Sequence, residues 1–151
     1  MPEIKVNPFG GDFPEGFNLT VIDRLMAFLN QRRDLPNKKG SVNLKLLSDA
    51  EIRELNKEFA NIDAPTDVLS FPYGGSDGEL GDVAISLETA ERQAQTAGVS
   101  LGDELATLLV HGLLHILGLD HRNPKEQAVM EKHQSEIIKN AGLTYRNFSW
   151  Q

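Results

Sequence analysis

The sequence has 151 residues, of which 40% are hydrophobic and 25% charged, and its formal net charge at pH 7 is −7. This length is typical of one hydrophobic core, so we expect a single domain over residues 1–151. The absence of cysteine excludes disulfides, thiolate metal ligands and cysteine nucleophiles, which leaves imidazole and carboxylate as metal ligands. The negative net charge disfavours non-specific binding to nucleic acid, because the phosphate backbone favours a positive surface.

No stretch of the sequence has the length and apolarity of a membrane span, and the N-terminal residues lack the apolar run of a signal peptide. We therefore expect a cytoplasmic protein with no membrane partner. One basic cluster is compatible with a local phosphate contact, although a solvated helix end and loop is the simpler interpretation. The cluster consists of Arg32, Arg33, Lys38 and Lys39.

Hydrophobic spacing, capping residues and glycines predict elements in the order β-α-β-α-β-β-α-α-α. Ser48 and Glu51 form a capping box at the start of the second helix, and Ser100 with Asp103 caps the fourth. The predicted strands are residues 3–7, 42–47, 66–71 and 80–87. The predicted helices run from Leu19 to about Arg33, from Ser48 to about Phe59, from about Glu88 to Gly98, from Leu101 to Leu117, and from Pro124 to Gly142.

This order of elements predicts an α+β fold, an α/β sandwich in which helices pack on a small mixed β-sheet of about four strands. The helix from Leu101 to Leu117 is apolar nearly all round, so we expect it to be central and buried. It nevertheless contains two histidines, and a buried helix with two histidines requires an explanation.

Three of the four histidines, His111, His115 and His121, lie within eleven residues. His111 and His115 are four residues apart and so share one face of the helix. Gly118 can end the helix and reverse the chain, which returns His121 to the same point. Three neutral imidazoles around zinc leave a fourth position for water, as in catalytic sites. We therefore predict one Zn²⁺ per chain, although nickel or cobalt would also fit three imidazoles.

The histidine spacing has the span of the zinc-protease signature H-E-x-x-H-x-x-G-x-x-H, so the helix is zincin-like. In that signature a glutamate, the general base, follows the first histidine directly. Gly112 occupies that position here. The metal ligands of the protease are therefore present, and its proton acceptor is missing.

Two further polar residues require interpretation, Asp120 and the fourth histidine, His133. Asp120 precedes His121 and either orients an imidazole as a hydrogen-bond acceptor or stabilises the turn, and we keep it as a candidate catalytic residue. His133 lies in a predicted helix among charged neighbours. We expect His133 to lie on the surface without a role.

Two long motifs resemble those of one known family, the YbeY family of bacterial rRNA maturation factors, described as single-strand-specific metallo-endoribonucleases. The first motif is His111-Gly112-x-x-His115-x-x-Gly118-x-Asp120-His121. The second is Leu55-Asn56, followed by Asp63-x-Pro65-Thr66-Asp67-Val68-Leu69-Ser70-Phe71-Pro72. Gly81-Asp82 and the chain length also fit, so the resemblance covers nearly the whole domain.

The resemblance implies a zinc-dependent endoribonuclease that acts in maturation of the 16S rRNA 3′ end and in ribosome quality control. Its partners would be single-stranded rRNA and the small ribosomal subunit, and its zinc would be bound by His111, His115 and His121. No particular oligomeric state is predicted. A metallopeptidase-like hydrolase and a non-catalytic zinc-containing ribosome assembly factor are the alternatives.

The general base is not identified by the sequence. Asp67, Asp82 and Asp120 are candidates on charge alone, but Asp67 is more simply interpreted as the cap of a loop or strand end, and Asp82 as a turn residue after Gly81.

One position departs from the family pattern, which has tyrosine and then arginine where this chain has Phe59 and Ala60. The resemblance implies that the arginine lies near the scissile phosphate. Arg53 and Lys57 share the helical face of Ala60. Either of them supplies the missing charge, or both belong to the solvated side of the helix.

Overall fold

The structure is a computed structural model that describes residues 1–10, 13–74 and 77–148. Its elements follow the predicted order. The strands are β1 (Glu3–Phe9), β2 (Lys39–Leu47), β3 (Val68–Pro72) and β4 (Asp77–Ser86). The helices are α1 (Leu19–Asn30), α2 (Asp49–Ala60), α3 (Leu87–Ala97), α4 (Leu101–Ile116) and α5 (Pro124–Asn140).

The four strands form one mixed sheet in the order β1-β2-β4-β3, which confirms the predicted α+β class. β1, β2 and β4 are parallel, and β3 is antiparallel to β4 at the edge of the sheet. Asp82 lies within β4 opposite Phe71, so the interpretation of Asp82 as a turn residue was wrong.

Helix α1 ends at Asn30, before the predicted Arg33. The Asn30 side chain accepts a hydrogen bond from Ile4 N and donates one to Ile4 O, both at 2.9 Å. The amide thereby pairs with the outer edge of β1 as a neighbouring strand would, which covers polar backbone groups of an edge strand.

Helix α4 is buried along most of its length and packs against β3, β4, α3 and α5, as predicted for a central helix. The helix approaches the sheet closely at Gly112, where an added Cβ would lie 2.9 and 3.0 Å from the Val83 methyl carbons. In the described part of the chain no single helix is long and apolar enough to cross a membrane. Helices α3 and α4 together have the length and apolar composition of a membrane span, but they are bent by 114° at their junction.

His133 is buried, with 4% of its surface exposed, so the prediction of a surface position was wrong. Its neighbour Lys132 is exposed on another face, because residues adjacent in sequence lie on different faces of a helix. The face that contains His133 is instead buried together with Met130, Gln134, Ile137 and Ile138.

The predicted basic cluster is partly used in contacts within the protein. Arg32 binds Glu136 of α5 at 2.7 Å, and its side chain is only 13% exposed. Lys38 Nζ donates to Ile116 O at 3.2 Å and satisfies a carbonyl at the C-terminal end of α4. A phosphate contact at this cluster is therefore not favoured.

Candidate metal centre

The last turns of α4 place His111 and His115 side by side, with ring centroids 4.7 Å apart and ring planes at 78°. The helix then ends, and Gly118 takes a φ of 102°. Gly118 N donates to His115 O, and Leu119 N donates to Leu114 O, which satisfies carbonyls of the last turn. The positive φ reverses the chain, as we predicted from the presence of a glycine at this position.

His121 returns to the helix end and is held there through its backbone. Its N–H donates to Asp120 Oδ1 at 2.7 Å, and its carbonyl accepts from Gln127 Nε2 at 3.2 Å. Its ring centroid lies 4.9 Å from that of His115 and 5.4 Å from that of His111. One nitrogen of each of the three rings lies within 4.8 Å of the other two. Three imidazoles so arranged could hold a metal ion.

The environment of two of these rings keeps them neutral. Burial lowers the pKa of His111 to about 4, with smaller contributions from the charges of His115, His121 and Arg146. Burial also lowers the pKa of His115, as does the neighbouring His121. A metal binds only the neutral imidazole, so both rings are in the binding form at neutral pH.

A hydrogen bond from α5 sets the tautomer of His111. His111 Nδ1 lies 2.8 Å from Gln134 Oε1, which can only accept, so Nδ1 carries the hydrogen. Gln134 Nε2 in turn donates to the Tyr145 hydroxyl at 3.0 Å, and that hydroxyl donates to Glu131 Oε1 at 3.3 Å. Nε2 of His111 is then the nitrogen whose lone pair suits a metal.

An aromatic and ionic layer covers the other side of His111. Phe148 stacks on the His111 ring, with centroids 4.5 Å apart and planes at 15°. The Arg146 guanidinium lies 4.9 Å from the Phe148 centroid. Arg146 also forms a two-point ion pair with Glu104, a fully buried residue of α4. The segment after α5 is therefore fixed to α4 beside the histidines.

The histidines open into a cavity of about 370 Å³ whose other wall is β3 and the loop before it. Ser70 connects this strand to α4, because its hydroxyl donates to Gly112 O at 3.2 Å. The cavity is lined by Thr66, Asp67, Val68, Leu69, Ser70, Pro72, His111, His115, His121 and Phe148.

Of the three aspartates considered as general base, only Asp67 lines this cavity. Asp67 Oδ1 accepts a hydrogen bond from Val68 N at 2.7 Å. Asp67 therefore also caps the start of β3, which agrees with its interpretation as the cap of a strand end. Asp82 is bound by Tyr73 and Asn43 outside the cavity. Asp120 supports the turn through His121 N and an ion pair with Arg122, whose Nε lies 3.0 Å from Asp120 Oδ2.

Neither Arg53 nor Lys57 lines the histidine cavity. Arg53 Nε donates to Asp63 Oδ1 at 2.7 Å, and that hydrogen bond raises the pKa of Arg53. Its charge is therefore balanced within the protein. Ala60, the last residue of α2, is exposed.

The position of a protease glutamate is closed by packing. A Cβ on Gly112 would lie 3.1 Å from Ser70 Oγ in addition to its contacts with Val83. Any larger side chain there would have to displace the Val83 and Ser70 side chains. This disfavours the metallopeptidase alternative at the residue where the sequence already departed from the signature.

Sequence reasoning did not find Gln134, Phe148 or the Arg146–Glu104 pair. Gln134 carried a usable signal, because it is a polar residue on the apolar face of α5. Glu104 carried the same signal on α4. Phe148 follows the last helix in an irregular segment, where no periodicity indicates what a side chain contacts.

The mixed sheet, the buried helix with two histidines and the third histidine after its glycine define an α+β protein with a candidate three-histidine metal centre. The sequence model of one family, described as endoribonuclease YbeY, matches residues 14–142. The chain belongs to this endoribonuclease YbeY family.

Individual relatives agree with that assignment. An endoribonuclease YbeY of Moorella thermoacetica is 39% identical over 154 residues, covering 93% of this chain and 98% of the relative. One from Pelotomaculum thermopropionicum is 45% identical over 114 residues, covering 70% and 75%. A solution structure of a protein from Thermotoga maritima has a TM-score of 0.64 and 25% identity, and covers 91% of this chain and 88% of its own.

Proposed function

We propose that this protein is a zinc-dependent endoribonuclease that cleaves single-stranded RNA during maturation of the 16S rRNA 3′ end, with the small ribosomal subunit as its partner in the cytoplasm. The observation that carries the proposal is the convergence of three imidazole nitrogens within 4.8 Å at the end of an open cavity. Relatives named endoribonuclease YbeY support RNA as the substrate.

His111, His115 and His121 would hold the metal. The donor set of three imidazoles suits zinc and leaves room for a further ligand. When bound, zinc supplies Lewis-acid polarisation of a phosphoryl oxygen and a more acidic water. Gln134 presents Nε2 of His111 by binding the hydrogen on Nδ1.

Asp67 is the proposed proton acceptor, because this acidic residue lines the cavity together with the three histidines. Asp120 is proposed to position His121, since it accepts a hydrogen bond from the backbone N–H of that residue. Asp120→Asn, with zinc affinity and kcat measured separately, tests the sequence-based assignment of Asp120 as a catalytic residue.

The test combines metal analysis with cleavage assays on one protein preparation. Purified protein, with and without chelator and with zinc, nickel or cobalt restored, is incubated with a labelled single-stranded copy of the rRNA 3′ end, its duplex form, and casein. We expect one metal per chain and metal-dependent cleavage of the single strand only.

Two histidine variants provide the matched comparison. His115→Ala should lose the metal and the activity, whereas His133→Gln, which changes a buried histidine outside the cavity, should keep both. Full metal occupancy in His115→Ala would overturn the ligand assignment. Cleavage of casein, or none of RNA by the zinc-loaded protein, would overturn the proposed function.

A further inference from the structure

Phe59, at the end of α2, is a large aromatic side chain that the fold leaves exposed. It is 64% exposed, although its ring contacts Phe71 of β3 with centroids 5.2 Å apart and planes at 63°. This contact orients the Phe59 ring without burying it. An oriented and exposed aromatic ring is a surface on which a flat apolar group can stack.

Phe59 and Phe71 line a cleft of about 350 Å³ beside the histidine cavity. Three residues of β3, Leu69, Ser70 and Pro72, line both the cleft and the cavity. β3 is the edge strand of the sheet, so one strand separates the two depressions. Ala60, whose side chain is a single methyl group, also lines the cleft.

We propose that Phe59 and Phe71 form a stacking subsite for one nucleobase of single-stranded RNA, next to the nucleotide bound at the histidine cavity. The proposal rests on the proposed function. Each base has an aromatic face, so stacking tolerates any sequence, and it requires an unpaired base because bases in a duplex already stack on one another.

The charge of the protein favours stacking as a source of affinity. The net charge is −7, and Arg53 on the same helix is paired with Asp63. A chain with a net negative charge gains less from phosphate contacts than basic RNA-binding proteins do. An aromatic subsite supplies affinity that does not depend on a basic surface.

The test places one abasic nucleotide at successive positions around the cleavage site of a single-stranded RNA and measures kcat/KM for the zinc-loaded protein. In the wild type, one abasic position should lower kcat/KM by about 5- to 100-fold, the range expected for losing one base–aromatic stack. Phe59→Leu should lower kcat/KM on intact RNA by a similar factor, and the penalty at that abasic position should disappear. Phe59→Tyr, which keeps an aromatic face, should retain the penalty at that abasic position.

Phe9→Leu is the matched control, since Phe9 is 51% exposed on β1 at the opposite edge of the sheet. It should leave kcat/KM unchanged, and metal content and thermal midpoint should show that all variants fold. If Phe59→Leu cleaves intact RNA at the wild-type rate, or keeps the abasic penalty, the subsite is wrong and a protein partner becomes the better occupant. If the zinc-loaded wild type cleaves no RNA, the proposed function fails first and the subsite with it.

Discussion

The Nδ1–H of His111 donates to Oε1 of Gln134 across 2.8 Å, joining α4 to α5 at the candidate metal centre. The acceptor is held in place by its own hydrogen bond to Tyr145, which lies beyond α5. The orientation of one ring therefore depends on three separate segments of the chain. Loss of a hydrogen-bond partner of a metal-binding histidine commonly lowers metal affinity by about 10- to 100-fold.

We expect Gln134→Leu to weaken zinc binding by roughly 10- to 100-fold, because Nδ1 of His111 would lose the acceptor that fixes its tautomer. Gln134→Glu should retain most of the affinity, since a carboxylate also accepts that hydrogen. The measurement is zinc affinity by competition with a chromophoric chelator. Gln95→Leu, an exposed change on α3, is the control, and equal affinity in Gln134→Leu would contradict the positioning role.

Asp67→Asn should lower kcat for RNA cleavage by about 100-fold or more without loss of zinc, as expected when a proton acceptor is removed. The fold should tolerate the change, because the amide oxygen that replaces the carboxylate can still accept from Val68 N. Gln93 donates to the other oxygen of Asp67, and its own Oε1 has no hydrogen-bond partner among the described atoms. Its amide can therefore rotate to accept from the new NH₂ group.

Asp82→Asn is the control for that measurement, because Asp82 binds Asn43 and Tyr73 away from the cavity. Asp120→Asn separates the two views of Asp120. A positioning role predicts weaker zinc binding, whereas a catalytic role predicts a lower kcat at full zinc occupancy. Wild-type kcat in Asp67→Asn would exclude Asp67 as the base.

Ala60→Arg should raise the initial rate of RNA cleavage. A guanidinium at the cleft beside the cavity can bind two oxygens of one phosphate at the same time. Ala60→Gln introduces a long polar side chain without charge and should leave the rate near wild type. Arg53→Ala should also have little effect, since that side chain is paired with Asp63. The rates are compared at low and high salt, and identical rates for the Ala60→Arg and Ala60→Gln variants would rule out a phosphate contact here.

Gly112→Ala should lower the free energy of unfolding by about 1–2 kcal/mol, because overpacking of a core costs more than the helix propensity that alanine adds. The added Cβ would lie 2.9 Å from a Val83 methyl carbon. Urea denaturation of Gly112→Ala, Val83→Ala and the double variant measures the coupling. The double variant should be more stable than the sum of the two losses predicts, and strict additivity would show that the contact is relieved elsewhere.

The stability of the metal-free protein should fall as the pH drops below about 6.5, the ordinary pKa of histidine. Burial lowers the pKa of His133, and of His111 to about 4, so between those values the unfolded chain takes up protons that the folded chain does not. Folding stability therefore rises with pH across this window and is fully present above it. Arg32 contributes to the shift of His133, while Asp34 and Glu136 oppose it.

Urea denaturation in chelator between about pH 5 and pH 7.5 measures this slope. His133→Gln should reduce it, because one of the contributing imidazoles is gone. Asp49→Asn should lower stability at every pH without changing the slope, since Ser86 and Thr89 hold the pKa of Asp49 at about 2, outside the window. An unchanged slope in His133→Gln would mean that this imidazole protonates equally in both states.

Local sequence determined the elements and the candidate metal ligands. The capping box of Ser48 with Glu51 forms as predicted, and Gly118 takes the positive φ that ends α4 and returns the chain. These features depend on residues within a few positions of each other, so sequence spacing describes them well. The convergence of His111, His115 and His121 follows from one helical turn and one glycine.

Only the tertiary structure decided which distant residues meet. His133 is buried because its helix face is covered by other parts of the fold, whereas its charged neighbours along the chain indicated an exposed position. Gln134 and Phe148 reach His111 from distant positions along the chain, and Asp67 lines the opposite wall of the cavity from the loop before β3. Such contacts depend on how α5 and the edge strand pack on α4, and hydrophobic period alone carries no information about which side chains then touch.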